Sequence, residues 1–194
     1  ILMKVNIEVI DINYVCEGEG ENVLLLHGWG ANIDTMMPIY NLLKDNFKVY
    51  ALDFPGFGHS DEPEEVFGVY DYARVTKKFI DMMNMDKVIL IGHSFGGRVS
   101  IVLSSKYPQL INKMVLIDSA GIKPKRSLKY YLKVCCFKVL KRIYSIIFFW
   151  VDKKEKMEKF YKKFGSSDYK EASGVMRKIL VKVVNEDLTH HLKD

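Results

Sequence analysis

The sequence holds only three cysteines, Cys16, Cys135 and Cys136, an odd number with two of them adjacent. No disulfide framework can be read from that arrangement, so a reducing, cytoplasmic setting is expected. Long hydrophobic runs are also missing. The longest outside the strand-like segments, Ile143–Val151, is nine residues with Tyr144 and Ser145 inside it. That is about half of the roughly 20 residues a spanning helix needs, so a soluble chain without stable membrane insertion is expected. The first residues do not run through a charged region, an apolar stretch and a small-residue cleavage site, so no secretory signal is read. Internal repeats, low-complexity linkers and recognised nucleic-acid motifs are absent, and no nucleic-acid partner is expected.

What is present is a globular composition: 194 residues, 48% apolar and 27% charged. A chain of this length can bury roughly 70% of its extended surface in one sizeable core. Charge is unevenly placed. Residues 1–122 carry 10 basic and 16 acidic side chains, whereas residues 123–194 carry 19 and 8. A step of that kind usually marks a change of subdomain.

The first 120 residues alternate short apolar runs with helical spacing. Ile7–Ile10 and Ile12–Cys16, flanking Asp11, read as antiparallel strands at a sheet edge. Val23–Leu26, Lys48–Leu52, Val88–Ile91 and Met114–Ile117 read as buried strands. Between them, helices are expected over Asp34–Lys44 with Asp34 as N-cap, Tyr70–Met83 and Phe95–Tyr107. Continuous apolar strands separated by helices imply a parallel sheet covered on both faces, an α/β fold. After Gly121 only helical periodicity remains, rich in lysine, over Ser127–Trp150 and Lys153–Val184. The expected division is a core over 1–122 and a helical layer over 123–194.

The sharpest chemical signal is Gly92-His93-Ser94-Phe95-Gly96-Gly97, set between a strand and a helix. It pins a serine on a tight turn, with Gly92 and Gly96 where side chains would collide with neighbouring backbone. The following helix N-terminus supplies free N–H groups and positive potential, which suit attack on a carbonyl. The second signal, His27-Gly28-Trp29-Gly30, ends the strand Val23–Leu26. Its glycines loosen a loop beside the serine turn, and the amides of Trp29 and Phe95 would form a pair of donors aimed at one oxygen. Taken singly, the two motifs also read as an N-cap serine and an ordinary strand-to-helix loop. Gly56-x-Gly58-x-x-Asp61 lacks the third glycine of a dinucleotide fingerprint and is rejected.

These residues resemble the α/β-hydrolase family, in its branch with a helical cap. The resemblance rests on the edge hairpin, the His27–Gly30 loop, the turn Asp53-Phe54-Pro55-Gly56-Phe57-Gly58-His59-Ser60, the elbow at Ser94 and Lys113–Gly121. It implies a serine nucleophile at Ser94, an oxyanion hole from the Trp29 and Phe95 amides, and a site shaped by His27, Gly28, Gly92, His93 and Gly96. A small-molecule ester or related carbonyl substrate follows, with no metal and no organic cofactor. Residues from 123 onward correspond to the cap.

The departure is in the triad, which in the family runs Ser, Asp or Glu, then His. The acid and histidine segments have no counterpart in this sequence, and the chain is expected to be the N-terminal part of a longer protein. Of the five histidines, His27 and His93 read as structural and His59 as a turn residue, with His190 and His191 an exposed pair. Asp118 closes the strand after the elbow, where some relatives carry the acid, and reads as a turn residue. Tyr130, Tyr131, Val134, Phe137, Val139, Leu140, Ile143, Ile146 and Ile147 form one apolar face among lysines. It is expected to line an acyl pocket as a cap; the alternative is a basic amphipathic helix lying on an anionic membrane. Two functions stand side by side: a serine hydrolase of the esterase type, or a non-catalytic binding protein on the same scaffold. Self-association is expected through an open sheet edge at Met114–Ile117.

Overall fold

Strands β1 (Met3–Ile7) and β2 (Ile10–Glu17) form an antiparallel hairpin, and β2 pairs antiparallel with β4 (Lys48–Leu52). The rest of the sheet is parallel: β4, β3 (Asn22–Leu26), β5 (Val88–His93) and β6 (Ile111–Ile117), giving the order β1-β2-β4-β3-β5-β6. The computed structural model describes residues 2–122, 127–147, 153–164, 166–172 and 174–193. They group into two compact units, Ile1–Lys123 with Val181–Asp194, and Pro124–Leu180.

The central strands are apolar on both pleats because helices cover both faces. On one face Val23, Leu25, Val49, Ala51, Ile89 and Ile91 bury against Ile33, Met36 and Tyr40. These last residues belong to a 3-10 turn (Ile33–Met36) running into α1 (Met37–Leu43), with Pro38 in its first turn. On the other face lie α2 (Val69–Met82) and α3 (Phe95–Lys106), with Phe79 edge-on to Tyr14 and Tyr50.

Several local expectations shift. The hairpin turns at Glu8 and Val9, not at Asp11, which lies within β2 and pairs with Asn6. Both turn residues have positive φ, 52° and 66°, a conformation that neither side chain favours and that leaves no sequence signal. The cap of the first helical turn is Asn32, whose side chain accepts from the Asp34 amide at 2.9 Å, so Asp34 is a first-turn residue. β6 is not buried: Met114, Val115, Leu116 and Ile117 are 36–46% exposed. It is the edge strand next to β5, and among the described residues its side chains are only partly covered.

Residues 181–194 sit with the sheet, whereas the expected division placed them in the helical layer. Long-range bonds explain it. The Glu186 carboxylate accepts from the Val69 amide at 2.7 Å, capping α2, and the Glu186 carbonyl accepts from the Arg98 guanidinium at 2.8 Å. The Leu188 amide donates to the Gly121 carbonyl at 3.0 Å, and Leu188 is fully buried.

The second unit holds α4 (Leu128–Ile147), α5 (Lys153–Phe164), α6 (Ser167–Glu171) and the start of α7 (Gly174–Asn185). Its centre is aromatic: Phe137 lies 5.5 Å from Phe160 and 6.0 Å from Tyr169, centroid to centroid. Arg177 donates two bonds to Glu158, at 2.6 and 3.0 Å, while lying over the ring of Tyr161. The end of the apolar run Ile143–Val151, from 148 on, lies outside the described residues.

Candidate active site

Ser94 stands between β5 and α3 with φ 48° and ψ −106°, the strained geometry of a sharp strand-to-helix turn. Its backbone is clamped on both sides. The Ser94 amide donates to the Ile117 carbonyl at 3.0 Å, and the Ser94 carbonyl accepts from Gly97 at 3.1 Å and Ala120 at 3.3 Å. The turn closes this tightly because Gly92 and Gly96 have no side chains. A Cβ on Gly92 would stand 2.6 Å from the Gly96 carbonyl oxygen, and one on Gly96 would overlap the Leu26 carbonyl.

The His27–Gly30 loop reaches the same place from β3. Leu26 pairs with Gly92, so the two strands end side by side. A Cβ on Gly28 would lie 2.9 Å from Nδ1 of His93 and 3.4 Å from Cβ of Ser94. The Trp29 ring meets Phe95 edge-on at 5.5 Å and Phe57 at 4.9 Å, which holds the loop against the elbow. Among the described residues the amides of Trp29 and Phe95 donate to nothing, and the hydroxyl of Ser94 has no hydrogen-bond partner. The predicted nucleophile and the predicted donor pair are therefore brought to one strand end, together with Gly28, Gly92, His93 and Gly96.

His27 is fully buried and fully engaged. Its Nδ1 lies 2.7 Å from the Gly28 carbonyl, and its Nε2 accepts from the Phe54 amide at 3.0 Å. That pair of bonds fixes a neutral ring with the proton on Nδ1. Burial pushes its pKa down to about 4. A ring so occupied takes no proton from Ser94; it ties the donor loop to the turn after β4.

Asp53 completes that tie. Its buried carboxylate accepts from the Ile33 amide at 2.8 Å, the Asn13 side chain at 2.8 Å and the His59 amide at 2.9 Å. One side chain thus fixes both the start of the helical turn after the Trp29 loop and the turn holding His59. The sequence marks this turn by its prolines and glycines but carries no sign of the carboxylate's role, since its partners lie 6 to 40 positions away.

The remaining histidines are elsewhere. His59 is exposed in its turn. His191 is half-buried rather than exposed, with Nε2 at 2.8 Å from the Tyr70 hydroxyl and Nδ1 at 2.8 Å from the Ser105 hydroxyl. His190 stacks on it at 4.0 Å and reaches the same tyrosine at 3.2 Å. Asp118 is exposed with φ 44°, in the loop that donates to the Ser94 carbonyl. No group of three His, Cys, Asp or Glu side chains suited to a metal occurs among the described residues.

Residues 21–185 match the family model of the alpha/beta hydrolase fold. The chain belongs to the α/β-hydrolase family. Within it, the chain is 36% identical over 115 residues to the 2-(acetamidomethylene)succinate hydrolase of Mesorhizobium japonicum, covering 59% of this chain and 41% of that protein. It is 32% identical over 122 residues to the 2-hydroxy-6-oxo-6-(2'-aminophenyl)hexa-2,4-dienoic acid hydrolase of Metapseudomonas resinovorans, covering 61% and 42%. The chain thus matches less than half the length of either relative. Among solved structures, E-2-(acetamidomethylene)succinate hydrolase superposes with TM-score 0.69 at 24% identity, covering all of this chain and 76% of that one. The epoxide hydrolase CorEH superposes with TM-score 0.66 at 18% identity, covering 95% and 73%. At those identities the superpositions establish the fold.

Proposed function

We propose that this α/β-hydrolase chain carries the nucleophile and oxyanion half of a serine hydrolase acting on a carboxylic ester or related carbonyl substrate. In the proposed step the Ser94 oxygen bonds to the carbonyl carbon and the hydroxyl proton passes to solvent water, since no base is hydrogen-bonded to Ser94 among the described residues. The carbonyl π electrons move onto oxygen, which the Trp29 and Phe95 amides stabilise. Collapse of that intermediate expels the leaving group and leaves an acyl-serine for water to cleave. The observation that carries this reading is the strained Ser94 elbow beside two amides that donate to nothing else among the described residues. The hydrolase names of the relatives support the general reaction, and the helices after 123 are proposed to select the substrate as a cap.

A second reading, a binding protein on this scaffold, is favoured by one observation: the Ser94 hydroxyl has no hydrogen-bonded base among the described residues. Labelling with a fluorophosphonate, read by peptide mass spectrometry, separates the two. The hydrolase reading predicts a slow adduct on the Ser94 peptide, with water taking the hydroxyl proton and fluoride leaving, that Ser94→Ala removes. A folded chain whose Ser94 stays unmodified supports the binding protein.

A further inference from the structure

The helix α4 presents two distinct faces, where the sequence suggested one broad apolar face. Val134, Phe137 and Lys141 are partly buried; Phe137 meets Phe160 and Tyr169, and Lys141 lies over the Tyr161 ring at 5.1 Å. The other side of the helix is apolar and open. Leu128, Leu132, Val139, Ile143 and Ile146 are 76%, 59%, 51%, 49% and 66% exposed. Their spacings of four, seven, four and three place them in one stripe along a helix, with exposed Cys135 filling the gap. At 1.5 Å per residue the helix is about 30 Å long, so the stripe is a substantial apolar surface.

The shoulders of that stripe are basic. Lys129 and Lys133 fall on one side by helical angle and Lys138 and Arg142 on the other, all exposed. The helix contains no aspartate or glutamate. This charge pattern selects the occupant. A second copy of the same face would set four cations against four. A nucleic acid would leave the apolar centre uncovered, and a peptide would have to present an apolar ridge with acidic rims. An anionic bilayer surface satisfies both parts at once, taking the apolar stripe at the acyl boundary and the cations at the headgroups.

We infer that the outward face of α4 is a docking surface for an anionic lipid bilayer, on which the helix lies parallel to the membrane plane. No helix among the described residues is long and apolar enough to cross a membrane, consistent with an interfacial and not a spanning placement. The inference is independent of the chemistry proposed at Ser94.

The test is flotation of the whole chain with vesicles of phosphatidylcholine alone and with roughly 30 mol % phosphatidylserine added. Binding is expected to the anionic vesicles only, weakening as salt is raised. Lys138→Gln with Arg142→Gln should lower the partition coefficient about 25-fold, at about fivefold per charge. Ile143→Asp, or Leu132→Ser where the aspartate unfolds the helix, should abolish it, while Lys87→Gln, on the sheet unit, should not change it. Equal binding to both vesicle types, binding to neither, or retained binding by Ile143→Asp overturns the proposal. A dimer without lipid that Ile143→Asp dissolves assigns the face to a second copy and also overturns it. Unfolding of α4 in both variants places the face against the protein itself and overturns the proposal as well.

Discussion

The amide of Phe54 donates to Nε2 of His27 at 3.0 Å, joining the turn after β4 to the loop after β3. Through it the Gly28–Trp29 segment is held beside Ser94 by a ring that must stay neutral to accept that bond. A buried His27 with a pKa near 4, against about 6.5 in the unfolded chain, binds no proton where the unfolded chain does. Its contribution to stability is complete above pH 6.5 and is lost as pH falls toward 4, by about 3 kcal/mol. Urea unfolding at pH 7 and pH 4.5 measures it. His27→Gln, less stable at neutral pH, should lack this part of the slope; parallel profiles for the two proteins would refute the assignment.

Asp53 is the second support of the same loops. Replacing it by alanine leaves the Ile33 amide and the Asn13 side chain without their acceptor in a buried place, and the His59 amide without one in a partly exposed turn. At about 1–3 kcal/mol for each of the two buried unsatisfied groups, the loss is about 2 kcal/mol or more. Asp53→Ala should therefore unfold at much lower urea. A change under about 0.5 kcal/mol, the range of an ordinary surface substitution, would show that the network is dispensable.

These two networks show where the sequence stops being informative. β3, β5 and the elbow are legible because a continuous apolar run followed by glycines has few other structural meanings. The neutral tautomer of His27 and the three partners of Asp53 are not, because each depends on groups brought together by the sheet. The return of residues 181–194 to the core is hidden for the same reason: Glu186 and Val69 are 117 positions apart. The Glu8–Val9 turn is hidden differently. Tertiary pairing imposes positive φ on residues whose own preference points elsewhere. The exposure of β6 escapes the sequence because an apolar run cannot say whether its neighbours cover it.

Tyr40 offers a stabilising change. Its ring is buried in the core beneath β3 and β4, and its hydroxyl has no hydrogen-bond partner among the described residues. Burial raises its pKa, so the group stays protonated and uncompensated. Tyr40→Phe removes the unpaired hydroxyl while keeping the ring, and should add about 1 kcal/mol. In a chain of this size that is about 2–4 °C in Tm by thermal melting. A lower Tm would mean that the hydroxyl is satisfied in solution.

The exposed edge of β6 should make the chain associate with itself. Met114–Ile117 is apolar on both pleats and carries no charge to deter strand pairing. Sedimentation velocity should show concentration-dependent association at neutral pH, suppressed by Val115→Lys. A monomer at all concentrations, or association unchanged by Val115→Lys, would rule out this edge.

The central claim, that Ser94 and the amides of Trp29 and Phe95 act as one carbonyl-attacking unit, is tested most directly with an alkylboronic acid. Boron and amide NMR would be recorded on the chain and on Ser94→Ala. Bond formation between the Ser94 oxygen and boron makes the boron tetrahedral, and the proposal seats a boron-bound oxygen on the two amides. The account predicts a tetrahedral boron signal that Ser94→Ala removes, with the Trp29 and Phe95 amides among those that shift most. Trigonal boron with the folded wild-type chain, or tetrahedral boron without movement of those two amides, would contradict it.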